Sequence, residues 1–205
     1  MEIPVEKKVA LVNKALENTM PYKNYRALVA AHANEGTSTG NEQTAALTNY
    51  TKLNNARMRR LDKTLKIPER AETYFKTATL HQNWLVITES WCGDAAQSMP
   101  AMAKIAGLNK GIHFRAALRH AHPKLMNAFL TNGAMSIPKL IITDSATNRL
   151  LGDWGPRPTV LTAMVLDHRE KFGTLTPQFK EQLQLWYKRD GGRHIFEDLM
   201  HLAVR

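Results

Sequence analysis

The sequence predicts an α/β fold: a central mixed sheet of about four strands flanked by helices, with further helices added at both ends. Three observations carry that reading. From residue 84 onward, short runs of β-forming residues alternate with stretches of helical periodicity, which implies parallel strands joined by crossovers. Two later runs, residues 139–143 and 149–154, are separated only by Asp144-Ser145-Ala146-Thr147-Asn148, so they read as an antiparallel hairpin and make the sheet mixed. The chain before and after this segment reads mostly as helix.

The elements follow in order. Val5, Val9, Val12 and Leu16 recur at steps of four, three and four, one apolar stripe of a first helix. Tyr22, Tyr25, Leu28 and Val29 mark a second, and the small polar residues 33–40 read as a loop. A third helix is expected over residues 43–65, with Tyr50, Leu53, Arg57 and Leu61 on one side. Pro68 suits the first turn of a fourth helix over residues 68–77, because its missing N–H is not needed there. Residues 84–88 (Trp-Leu-Val-Ile-Thr) read as a buried strand. A helix over residues 93–108, a strand over 112–118 and a helix over 123–131 follow, the last stopped by Asn132-Gly133. After the hairpin, residues 158–172 are helical. Thr176-Pro177 caps a helix carrying Phe179, Leu183 and Trp186, and Ile195, Phe196, Leu199 and Leu202 mark a last one. The expected organisation is a helical N-terminal extension (1–80), a strand-containing domain (81–173) and C-terminal helices packed on it (174–205).

Composition bounds the function. A chain of 205 residues with 43% apolar and 22% charged residues can bury a full core, which argues against disorder or a fibrous repeat. No apolar stretch follows the first residues and no run of 18 apolar residues exists, so neither a secretory signal nor a membrane span is expected. The single cysteine excludes an intrachain disulfide and a multi-cysteine zinc site, and with the missing signal it favours a cytoplasmic location. The net charge of +10 can mark a nucleic-acid partner, but the positive residues are spread along the chain. Their densest cluster, Arg57 to Arg60 with Lys63 and Lys66, reads more readily as a solvated helix face than as a phosphate-contacting surface.

Chemistry concentrates at Trp91-Cys92-Gly93-Asp94-Ala95, between the first buried strand and its helix. A helix N-terminus offers free N–H groups and a positive dipole end, both of which favour a thiolate. Cys92 is therefore the best nucleophile candidate in the chain. The position reads as an exposed, reactive thiol; the plain alternative is a small buried hydrophobe. Asp94 works against acidity, because its carboxylate places a negative charge near the sulfur.

Trp91, Cys92 and Gly93 resemble the Trp-Cys-Gly-Pro-Cys loop of the thioredoxin superfamily. Ser136-Ile137-Pro138 is similar to that superfamily's second signature, a cis-proline just before a strand, and Pro138 follows Cys92 by 46 residues, with a helix, a strand and a helix between. The resemblance implies a thioredoxin-like fold over about residues 84–172. It also implies that Pro138 lies against the sulfur and that the Ile137 backbone pairs with bound peptide. Trp91, Gly93 and Asp94 would border the same binding face. The segments 48–54, 59–64 and 152–158 resemble a narrower bacterial group of thioredoxin-like proteins with an added helical N-terminal region and a single-cysteine loop.

The departure from the pattern decides the chemistry. Ala95 stands at the place of the second cysteine and Asp94 at the place of the proline, so no internal thiol can release a mixed disulfide. Three functions remain open. One is monothiol exchange through Cys92 with a protein or low-molecular-weight disulfide, an external thiol acting as resolver. The second is a non-catalytic module that binds an extended peptide. Nucleic-acid binding ranks last, because no strip of basic residues interleaved with aromatics is present. No cofactor and no metal are expected. His120 and His122 read as a polar loop rather than a metal pair, and His113 as a residue on the sheet surface. Met99, Met102, Met126 and Met135 read as packing, and Arg157 as a structural loop residue rather than an anion site. Trp91 either shields the sulfur and shapes a partner groove or packs at the strand end.

Overall fold

The computed structural model describes residues 3–203. Helices α1 (Val5–Leu16), α2 (Tyr22–Glu35), α3 (Ala45–Thr64) and α4 (Glu69–Thr77) precede the main sheet strands, with a two-residue strand β1 (Met20–Pro21) between the first two helices. Strand β2 (Gln82–Thr88), helix α5 (Gly93–Leu108), strand β3 (Ile112–Leu118), helix α6 (Pro123–Ala128), strands β4 (Lys139–Asp144) and β5 (Leu150–Trp154) and helix α7 (Thr159–Phe172) follow. Helices α8 (Pro177–Asp190) and α9 (Arg193–Ala203) complete the described chain.

The sheet has five strands in the order β1-β3-β2-β4-β5 rather than about four. β2 and β3 are parallel, while β1 pairs antiparallel with β3, and β4 with both β2 and β5. β1 lies in the stretch expected to be helical. Two residues are too few for periodicity to register, and Pro21, lacking an N–H, fits an edge strand. Thr19 just before it receives hydrogen bonds from the Arg115 guanidinium on its hydroxyl and its carbonyl, which fixes this short edge.

β2 is the centre of the core. Trp84, Leu85, Val86 and Ile87 are all fully buried, so both faces of this strand are covered. That is why its sequence is a continuous apolar run instead of an alternation. Leu140, Ile141 and Ile142 of β4 repeat the pattern beside it. Met99, Met102 and Ile105 of α5 and Phe75 of α4 join the same cluster, with the Phe75 and Trp84 rings meeting edge-on at 6.1 Å between centroids. Burial of one such large apolar side chain stabilises by roughly 1.5–3 kcal/mol.

The terminal helices belong to this core. α3 packs on α2 and α5, α1 on α6 and β3, and α9 on β5, α4 and α5. Tyr25, Val29, Met58, Phe179, Leu199 and Phe196 all join the single apolar cluster. Gln82 at the start of β2 donates to the carbonyl of Ala203 at 3.1 Å, which ties the end of α9 to the central strand.

Three sequence expectations shift. The helix expected to reach residue 131 stops at Ala128, and the second helix runs to Glu35 before Gly36 closes it in a left-handed conformation. Of the row Tyr50, Leu53, Arg57 and Leu61 on α3, only Leu61 belongs to the buried face, which is Thr51, Asn54, Met58 and Leu61. An apolar stripe does not mark this face, because α3 buries polar side chains that bond to the loop after β2. Among the described residues no helix is long and apolar enough to cross a membrane.

Candidate functional site

The loop from Glu89 to Cys92 leaves the end of β2 with its backbone groups buried, and buried polar groups need partners. Here the partners come from α3 and from the loop that joins α2 to α3. The Ser90 N–H donates to the Thr39 hydroxyl at 2.8 Å, and the Thr39 N–H donates to the Ser90 hydroxyl at 2.9 Å. Asn54 of α3 donates to the Ser90 carbonyl at 3.0 Å, and the Thr51 and Ser90 hydroxyls lie 2.8 Å apart. The Trp91 indole donates to the Thr39 carbonyl at 3.2 Å, and Arg119 stacks over its ring at 4.9 Å. Trp91 therefore anchors the loop while bordering the cleft between α3, α7 and α8.

Cys92 caps α5. Its sulfur accepts the Ala95 N–H at 3.5 Å, and its S–H donates to the Ile137 carbonyl at 3.2 Å. The Ile137–Pro138 peptide bond is cis, as is Gly155–Pro156. Cys92 and the Ile137 carbonyl are thus in contact, next to Pro138, which the resemblance placed against the sulfur. The exposed thiol of the sequence reading is corrected: only 7% of Cys92 is accessible. Burial, and secondarily the Asp94 charge, push the thiol up to about 12; the Ala95 and Asp94 N–H groups and Arg157 act in the opposite direction but do not win.

Asp94 sits in the first turn of α5 and is nearly buried. Its carboxylate pairs with Arg157 at 2.7 Å and accepts the Tyr187 hydroxyl at 3.0 Å. Burial raises its pKa, with Arg157 and Tyr187 opposing. Burial and the Asp94 charge likewise hold the Tyr187 phenol well above its ordinary range. Gly93 lies between Arg57 and Gln184, and Gln184 in turn accepts from Gln97 at 2.9 Å. Arg157, read from sequence as a plain loop residue, is the charge partner of Asp94. Tyr187 and Gln184 carried no signal, since they lie on a helix far along the chain.

These residues form part of a cleft of about 1380 Å³ between α3, the Thr131–Ile137 segment, α7 and α8. Trp91, Cys92, Gly93, Asp94 and Ile137 line it, as do Tyr50, Leu53 and Arg57 from one side of α3. Pro138 stands just behind this lining, with its carbonyl against Gly155. Met135, expected to pack inside, is exposed on the rim. Arg57 and Arg60 of the basic cluster also face the cleft, whereas Met58 between them is core. Burial pushes the Arg57 pKa down. The Ile137 N–H has no hydrogen-bond partner among the described residues.

The histidines stand apart. His120 lies beside Glu89, whose carboxylate accepts its backbone N–H at 2.8 Å and contacts its ring nitrogen at 2.9 Å. His113 is exposed on β3. Among the described residues no group of three or more His, Cys, Asp or Glu side chains is placed to hold a metal ion.

The family model described as thioredoxin matches residues 40–174, which includes all of α3 and strands β2 to β5 but not β1. No curated protein matches the chain. Two solved structures share the fold. One is a Pseudomonas aeruginosa protein of unknown function, 17% identical, with a TM-score of 0.59 over 84% of this chain and 95% of that one. The other is an HIV epitope-scaffold, 19% identical, with a TM-score of 0.56 over 84% of this chain and 95% of that one.

Proposed function

Since the chain belongs to the thioredoxin family, we propose that it works as a thioredoxin-fold binding module that holds an extended peptide across the Cys92–Ile137 face. The observation that carries this reading is the pairing at Ile137. Its carbonyl takes the Cys92 S–H, and its N–H is left without a partner at the edge of an open cleft. A sulfur 3.2 Å from a carbonyl oxygen is held as the neutral thiol, because a thiolate would be repelled there. With burial pushing the thiol up to about 12, Cys92 is protonated at neutral pH and the nucleophilic thiolate is a minor species. An unpaired backbone donor beside an apolar trough is what an added peptide strand needs.

A second reading is favoured by one observation: Cys92 lines the cleft. There it could attack a bound disulfide. The thiolate forms a bond to one sulfur, the other sulfur leaves as a thiolate, and an external thiol then releases Cys92. Either a protein or a low-molecular-weight disulfide could serve as partner, and a cytoplasmic setting with reduced thiols fits both readings.

The test is selection of displayed random dodecapeptides on the full chain, followed by binding of the enriched peptides to wild type and to Cys92→Ser. The binding module expects equal affinities and a displaced Ile137 amide resonance in the ¹⁵N spectrum. Peptides held only by wild type, through a bond that reductant cleaves, would instead establish exchange. Peptides that leave the Ile137 amide unmoved would place binding elsewhere and end both readings.

A further inference from the structure

The walls of the cleft differ in character from its floor. Five of the ten large apolar side chains exposed among the described residues lie here: Tyr50, Leu53, Met135, Leu166 and Leu185. Apolar side chains gathered in this way mark a contact surface. The charges around them are one-sided. Once Arg157 is paired with Asp94, the lining holds Arg57, Arg60, Arg119, Arg169, Lys180 and Lys188 against Glu181 alone. None of these six cations forms an ion pair with a carboxylate among the described residues. They come from α3, from the segment after β3, from α7 and from α8, so they surround the trough instead of covering one helix face.

From this we infer that the preferred occupant is an acidic peptide segment: an extended stretch with Asp or Glu residues flanking apolar ones. This deepens the binding-module reading and rests on it. The apolar residues would lie against Leu53, Leu166 and Leu185, and the carboxylates would meet the ring of Arg and Lys. Complementary charge selects the partner and speeds its arrival. A single-stranded nucleic acid would also meet positive charge, but it needs successive aromatic platforms for its bases. The trough exposes Tyr50, while Trp91 is held by Thr39 and covered by Arg119.

Fluorescence anisotropy on the full chain tests this with three labelled decapeptides of identical apolar residues, carrying four Glu, four Gln or four Lys, and with a ten-nucleotide single-stranded RNA. The Glu peptide is expected to bind roughly tenfold more tightly than the Gln peptide at low salt and to lose that margin as salt is raised. Arg60 and Lys188 are both exposed, so the Arg60→Glu/Lys188→Glu variant should keep its melting temperature. It is expected to shift the preference toward the Lys peptide. Equal binding of the Glu and Gln peptides overturns the acidic preference and leaves the binding module standing. Binding of none of the three overturns both, and RNA bound more tightly than the Glu peptide overturns the choice of partner.

Discussion

Cys92 is held between two groups that want opposite things of it. The Ala95 N–H would favour a charged sulfur, and the Ile137 carbonyl favours a proton on it. Burial and Asp94 settle the contest for the proton. The alkylation rate of Cys92 should therefore rise about tenfold per pH unit from pH 7 upward, flattening only near 12. Asp94→Asn removes the secondary cause and keeps the larger one, burial, so its curve should move to lower pH by about one unit or less. Iodoacetamide kinetics across pH measure both, and a curve that stays put or moves upward would show that the carboxylate charge does not reach the sulfur. At this scale the sequence was readable in part. The helix-start cysteine, the acidic neighbour and the distant Ile137–Pro138 step all showed in the residue order. The Arg157 and Tyr187 partners of Asp94 did not, since nothing local marks a contact 93 residues away.

Among elements, the end of β5 and the glycine after it hold more together than their length suggests. Gly152 faces Leu202 of α9, Asp153 pairs with Lys139 at 2.7 Å, and Trp154 donates to Asp198 at 2.8 Å. Gly155 has a φ of +119°, and a Cβ there would lie 2.1 Å from the Pro138 carbonyl oxygen. Gly155→Ala must push the β5 exit off the Ile137–Pro138 step. The expected cost is on the order of 3 kcal/mol, with loss of peptide binding. Gly133→Ala is the control: its φ is also positive, +75°, but nothing lies within 4 Å, so it should cost about 1 kcal/mol. Urea unfolding of the two variants compares them, and equal costs would show that contact with Pro138 is not what demands a glycine. The strands were legible because buried β2 and β4 are continuous apolar runs. The inward face of α3 was not, because Thr51 and Asn54 are buried for hydrogen bonds to Ser90, and an apolar stripe cannot report that.

For the whole molecule, the division into 1–80, 81–173 and 174–205 describes the order of the chain more than separable parts. Phe75, Met58 and Tyr25 from the first segment and Phe196, Leu199 and Tyr187 from the last share one cluster with β2. A polypeptide of residues 81–173 alone should therefore show no cooperative unfolding transition in urea. A sharp transition with native-like near-ultraviolet dichroism would prove that the sheet stands unaided. The pairing of Asp94 also imposes a sequence of events in time. Proteins are synthesised from the N-terminus, so the carboxylate emerges first, its guanidinium partner 63 residues later and its phenol 93 residues later. A nascent chain carries its cysteine in an unfinished pocket, and the last wall of that pocket closes only after α8 has been made.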